Sequence, residues 1–229
     1  MAAQFPVVFP LYPGVTQLDF TGPLEVFARL PGAAIVLASS EGGQIVADAG
    51  VTFANVQPLA QVSGCALLCV PGGFGCVRAM EDPIYIGAIR RLAGQARYIT
   101  SVCTGSLLLG AAGLLRGKRA ACHWAWRDTL QIFGATLDPA RVVRDGNIIT
   151  GGGVTAGIDM ALTVLGEIAG QDFAQTVQLS IEYAPEPPFQ SGRPDQAPAH
   201  IVAAARQRVD SGRAERLAAA RRAGAAAAN

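Results

Sequence analysis

A chain of 229 residues, 51% hydrophobic and 15% charged, is long and apolar enough to bury a full core as one domain. Its net charge of +1 gives no general attraction to nucleic acid or to a membrane surface. Five cysteines without regular spacing exclude a disulfide framework and point to a reducing, cytoplasmic setting. No targeting segment is read at the N-terminus, where Pro6, Pro10 and Pro13 interrupt the apolar run and no basic stretch precedes it. The apolar stretch from Leu107 to Leu115 is too short to cross a bilayer and contains Gly110 and Gly113.

In chain order, strand and helix signals alternate. Phe5 to Tyr12 reads as a first strand, turned by Pro13-Gly14. Asp19 to Gly22 leads into a helix over Leu24 to Arg29, with Pro23 suited to its first turn. Ala34 to Ala38 is a second strand, and Gln44–Val46 with Val51–Phe53 form a hairpin around Ala49-Gly50. Ala66 to Val70 is a continuous apolar strand stopped by Pro71-Gly72-Gly73, as expected where helices cover both faces of a sheet. Asp82-Pro83 opens a helix running to about Ala96, followed by a strand over Tyr98 to Val102 and a helix over Ser106 to Ala112. Trp124 to Phe133 reads as a helix, and Arg141–Arg144 with Ile148–Thr150 as a hairpin. Two further helices span Ala156 to Ala169 and Asp172 to Tyr183. The proline-rich Ala184 to Pro198 is a surface loop before an Ala/Arg-rich C-terminal helix.

Repeated β-α units with apolar strands predict a three-layer α/β/α sandwich with a mainly parallel, flavodoxin-like sheet. Ligands in such folds bind outside the C-terminal ends of the strands. Four features gather there: Asp19, Gly72-Gly73, Cys103 and Gly151-Gly152-Gly153. Cys103 sits where a strand turns into a helix, so it is either a nucleophile on an elbow, its thiolate favoured by the helix N-terminus, or a small buried residue closing a strand. Asp19 is either an acid placed beside it or a helix N-terminal turn residue. An aspartate near a thiolate meets the opposition of like charges to joint ionisation, and one proton shared between Cys103 and Asp19 would suit an acid/base role. Thr104 either orients substrate or acid through its hydroxyl or simply starts the helix. Gly73 and the Gly153-Val154 segment are candidate backbone N–H donors, unless their glycines only permit tight turns.

Cys69 reads as core, and Cys65 and Cys76 have no partners at zinc spacing, so no metal is expected. Cys122 and His123 face opposite ways on extended chain, which makes His123 a structural hydrogen-bonding residue. Trp124 and Trp126 read as packing residues, and Glu25 is the fallback acid.

Gln17 to Pro23, Val70 to Gly73, Thr100 to Ser106, Ala111 to Ala120 with His123-Trp124, Val142 to Asn147 and Gly151 to Asp159 together resemble the PfpI-like superfamily. Glu182-Tyr183-Ala184-Pro185 and the loop after it extend the resemblance, over nearly the whole chain, to the isocyanide-hydrating branch. Thr104 stands where peptidase and deglycase branches carry histidine, and Asp19 replaces their glutamate. Neither His123 nor His200 has the glutamate two residues on that an amidotransferase triad needs.

The resemblance implies that Cys103 attacks an isocyanide carbon to form a thioimidate. Asp19 would handle the protons, and hydrolysis would give an N-substituted formamide with no cofactor. It also implies a homodimer. Residues 1–198 are expected to form the α/β domain and 199–229 a helix in the same domain or a subunit contact, solvated and fraying at its end. That tail carries six arginines, yet its alanines cannot build the helix-turn-helix core of regulators that share a PfpI-like domain. The alternative function is therefore a non-catalytic ligand sensor.

Overall fold

The computed structural model describes residues 4–228; the outer bounds expected for the two segments, at 1–3 and 229, lie outside the described residues. The strands are β1 (Phe5–Pro10), β2 (Ala33–Ser39), β3 (Gly43–Val46), β4 (Thr52–Pro58), β5 (Leu67–Val70), β6 (Tyr98–Val102), β7 (Arg119–Ala120), β8 (Thr136–Leu137), β9 (Val142–Asp145) and β10 (Ile148–Gly151). The helices are α1 (Gln17–Phe27), α2 (Cys76–Ala79), α3 (Pro83–Ala93), α4 (Gly105–Ala111), α5 (Ala156–Ala169), α6 (Gln171–Ser180), α7 (Ala199–Asp210) and α8 (Arg213–Ala228).

Eight strands form one sheet in the order β3-β4-β2-β1-β5-β6-β10-β9. The six inner strands run parallel, while β3 and β9 close the edges antiparallel to their neighbours. Helices α1, α5 and α6 pack on one another, and α2, α4 and α8 form a second packed group. Every residue of β5 and β6 is buried, as the unbroken apolar run of β5 requires in a three-layer α/β fold, and in β6 the burial includes Thr100 and Ser101.

The register places the site. Val70 pairs with Ser101 and Val102 with Gly151, so β5, β6 and β10 end at the same level. Gly72-Gly73, Cys103 and Gly151-Gly152-Gly153 therefore emerge along one edge. The chain leaves β1 for β2 on one side and returns to β5 on the other, so the crossing point that favours ligand sites lies beside them.

Three local expectations are corrected. Helix α1 begins at Gln17, with Pro23 inside it rather than in its first turn. Phe20, Pro23, Val26 and Phe27 are buried at helical spacing alongside the buried Asp19, and that apolar stripe holds the helix through the proline. The segment expected as a helix from Trp124 is a 3₁₀ turn series over Arg127–Phe133, ended by Gly134 in the left-handed conformation.

The C-terminal tail is two helices, and its second is far from solvated along its length. Arg216, Ala219 and Ala220 are fully buried where α8 meets α2, α4 and the 3₁₀ segment. The small alanines let α8 lie close to its neighbours. Arg216 stacks over the Trp126 ring at 4.2 Å, and Arg206 over Trp124 at 5.0 Å. Arg213 pairs with Asp128 and Arg222 with Glu81. Of the tail's arginines, Arg216 is buried against the body, while Arg206, Arg208, Arg221 and Arg222 stay exposed. Among the described residues no helix is long and apolar enough to cross a membrane.

Candidate active site

Cys103 has φ +59°, a left-handed backbone that costs a residue with a Cβ about 1–2 kcal/mol. It is fixed there by register: its N–H donates to the Gly151 carbonyl at 3.1 Å, and the chain then turns at once into α4. Only 5% of its surface is exposed. This is a nucleophile elbow in backbone form.

Asp19 lies in the first turn of α1 and is fully buried. Its Oδ2 accepts the Gly72 N–H at 2.9 Å, and its Oδ1 has no hydrogen-bond partner among the described residues. Burial raises its pKa from 3.8 to about 7; the Gly72 N–H and the Cys103 thiol, as donors, pull the other way, and Asp48 adds to the rise. The Cys103 thiol is pushed well above its ordinary range by burial first and by Asp19 next, against the Thr104 N–H. The helix N-terminus expected to favour the thiolate is opposed by burial and by Asp19. Helix α4 has only seven residues, and burial beside a carboxylate outweighs its end. Two acids this close disfavour joint ionisation, so the two groups titrate as a coupled pair.

Thr104 and the glycines build the frame of this pair. Thr104 Oγ1 accepts the Gly73 N–H at 2.9 Å and reaches the Gly73 carbonyl at 3.2 Å. The Gly73 N–H is thus engaged by Thr104, which corrects its reading as a donor free for the site. Gly73 has φ +138°, and a Cβ on Gly72 would lie 2.5 Å from the Thr104 nitrogen and 2.6 Å from Asp19 Oδ2. Only glycine at 72 lets the turn touch both residues. Glu25, the fallback acid, is exposed and paired to Arg29 at 2.8 Å.

A cavity of about 100 Å³ opens above the thiol. Of the expected residues, Cys103, Thr104, Gly73 and Val154 line it. Asp19 is not among the residues that line it. Gly153 stands behind the His123 ring, where a Cβ would sit 3.5 Å from Cδ2.

Thr16, Phe74, His123, Trp126 and Val209 complete the wall and were not expected there. His123 does take a structural bond, accepting the Ala125 N–H at 3.3 Å through Nδ1, but its ring also faces the cavity. Burial, Arg127 and Arg216 lower its pKa, so it is neutral at pH 7. The Pro-Gly-Gly-Phe sequence gave a hint of Phe74, an aromatic next to a site turn. Val209, from the distant tail, carries no local signal. Cys69, Cys76 and Cys122 are buried thiols, and burial pushes all three up.

Fold and site define a flavodoxin-like α/β protein with a cysteine elbow and a buried acid beside it. The chain belongs to the DJ-1/PfpI family, whose sequence model matches residues 6–167. It is 51% identical over 212 residues to an isonitrile hydratase of Pseudomonas putida, covering 91% of each chain. A THiJ/PfpI family protein from Pseudomonas syringae, known from its crystal structure, superposes with a TM-score of 0.90 at 39% identity, covering 97% of this chain and 91% of that one. The HTH-type transcriptional regulator CdhR of Pseudomonas aeruginosa is 31% identical over 182 residues, 76% of this chain and 53% of the regulator.

Proposed function

We propose that this chain hydrates isocyanides to N-substituted formamides through a covalent Cys103 thioimidate. The observation that carries the reading is the buried Asp19–Cys103 pair at the foot of a small cavity, with Asp19 raised to about 7. Its likeness to the isonitrile hydratase of Pseudomonas putida, over nearly the full length of both chains, supports it.

An isocyanide carbon accepts a soft nucleophile but must be protonated as it does so. The Cys103 sulfur bonds to that carbon, and the proton of the pair passes through Asp19 to the same carbon, giving an S–CH=N thioimidate. Asp19, now ionised, takes a proton from water as the oxygen adds to that carbon, and the nitrogen is protonated. Collapse of the tetrahedral adduct forms the formyl C=O and expels the sulfur, and the pair regains its proton. Every proton that enters comes from the pair or the water, so the balance is one isocyanide plus one water to one formamide.

Thr104 acts in this scheme by fixing the Gly72-Gly73 turn that holds Asp19. On the same reading the Val154 N–H, reached through the glycine run ending at Gly153, donates to the Cys103 sulfur while it is charged and releases it in the thioimidate. The resemblance also favours a homodimer as the working unit, and five free cysteines suit the reducing cytoplasm.

The test is incubation with a small alkyl or aryl isocyanide, following formamide by proton NMR. Catalytic formamide formation is expected, with loss in Cys103→Ala. Its absence from the wild-type protein, with folding confirmed by circular dichroism, would overturn the reading.

A further inference from the structure

The cavity above Cys103 holds about 100 Å³, well below the roughly 300–1,000 Å³ common for small-molecule sites. It accommodates the reacting N≡C and a few atoms beyond it. A second cavity of about 810 Å³ lies alongside, and Phe74, Trp126 and Val209 line both. These three side chains stand between the chambers, so a substituent too long for the inner one has to pass them.

Their supports differ. Trp126 is backed by the Arg216 guanidinium at 4.2 Å and faced by the Phe74 ring at 5.9 Å, edge on. Phe74 is 61% exposed and has room to turn. Val209 is the penultimate residue of α7, set just before the bend into α8 and half-buried. It is the one residue of the tail on the inner wall. Beyond the neck the outer walls bring both signs of charge, with Glu41 and Glu215 against Arg78 and Arg208. That mixture suits an uncharged substituent better than a strongly anionic or cationic one.

We propose that Phe74, Trp126 and Val209 form a neck between the reactive cavity and an outer chamber that takes the substituent of the substrate, and that Val209 determines how bulky that substituent can be. The neck is apolar, so the part of the substituent crossing it is an alkyl or aryl group. The inference rests on the isocyanide reading for the identity of the substrate, and on the geometry alone for the selection by size.

The experiment compares wild type, Val209→Ala and Val209→Phe on two reactions. In the first, kcat/KM is measured for n-butyl and cyclohexyl isocyanide. In the second, Cys103 alkylation is timed with iodoacetamide and with N-phenylmaleimide, located by peptide mass mapping. The cyclohexyl-to-butyl ratio should rise roughly tenfold in Val209→Ala and fall roughly tenfold in Val209→Phe, the scale of a gained or lost methylene contact or more. The maleimide-to-iodoacetamide ratio should move in the same directions. Unchanged ratios in both variants, with thermal melts showing both folded, would overturn the neck. If no protein turns over either isocyanide while the alkylation ratio still shifts as stated, the hydratase reading fails and the neck stands. If turnover is present but neither ratio shifts, the neck fails and the hydratase reading stands.

Discussion

The elbow and the C-terminal tail contribute to the same small cavity by opposite routes. Around Cys103 the chemistry is local: strand, cysteine and helix are consecutive, and β6 and α4 are buried throughout. In the tail, α7 has no fully buried residue, yet it supplies Val209, and α8 buries a charged arginine against Trp126. The contrast shows that the elbow bearing Cys103 is encoded in a handful of adjacent residues, while Asp19 beside it and the wall at Val209 come from elements far along the chain. A local motif is held in form by backbone constraints; a wall needs only a side chain of suitable bulk.

The strongest way to break the elbow half of the comparison is to replace Cys103. Cys103→Ala should reduce formamide formation to the uncatalysed rate, and Cys103→Ser should be severely impaired because a hydroxyl is scarcely ionised near neutral pH. Cys103→Gly should be equally inactive yet melt higher, since glycine adopts the +59° backbone without a Cβ penalty, a gain of about 1 kcal/mol. An active Cys103→Ala would sink the mechanism.

Asp19→Asn comes next. It keeps the acceptor for the Gly72 N–H but removes the titrating group, so kcat should fall about 10²–10⁴-fold. In the wild type, kcat/KM should rise with pH through about 7, as the pair passes from two protons to one, and Asp19→Asn should lose that limb. Stability moves the other way. A carboxyl whose folded pKa lies above its unfolded value favours the fold fully below about pH 4, and that contribution is lost as pH rises through 7. The span from 3.8 to about 7 corresponds to at most about 4 kcal/mol. Asp19→Asn should therefore flatten the fall in melting temperature between pH 4 and pH 8. A fall as steep as in the wild type would assign the pH dependence elsewhere.

What could be read from residues follows the same division. The apolar run at Ala66 to Val70 and the β-prone segment Tyr98 to Val102 specify buried parallel strands, and the shared end of β5, β6 and β10 then brings Gly72, Cys103 and Gly151 together. Asp19 was legible as an acid near that end. Its helix start was not, because Pro23 gives a strong local signal for a first turn while the apolar stripe from Phe20 to Phe27 extends across it. The surroundings of Cys103 were not legible for a related reason: a helix end is visible in sequence, whereas the depth of burial beside another acid is a property of the assembled core. The tail was hardest. Alanine and arginine read as a solvated helix, and only the position of Trp124 and Trp126 in space shows what the arginines stack on.

Gly72→Ala tests whether the frame matters apart from the reacting atoms. A methyl at 72 would meet the Thr104 backbone and Asp19 at 2.5–2.6 Å, and neither can retreat cheaply from a buried turn. Overpacking of this kind costs about 1–3 kcal/mol, and the variant should also lose activity because Asp19 is displaced from the thiol. Urea melts together with the pH profile check it. Unchanged stability with full activity would show that the turn yields more easily than its contacts imply.

The smallest effect belongs to the tail's ion pairs and sharpens what holds it in place. Arg213 and Asp128 approach to 2.6 Å, but their side chains are 41% and 44% exposed. An exposed pair gains little over its hydration, and ordering two long side chains offsets part of that gain. A double-mutant cycle with Arg213→Ala and Asp128→Ala should therefore give a coupling of about 0.2–1 kcal/mol, shrinking as salt is raised. Ala219 and Ala220, fully buried against the body, should matter more: a larger side chain at either position wedges α8 away from its neighbours and costs about 1–3 kcal/mol. That order, packing above ion pairs, is what makes an arginine-rich helix a structural wall. A coupling above about 2 kcal/mol that is insensitive to salt would reverse it and make charge the element that seats the tail.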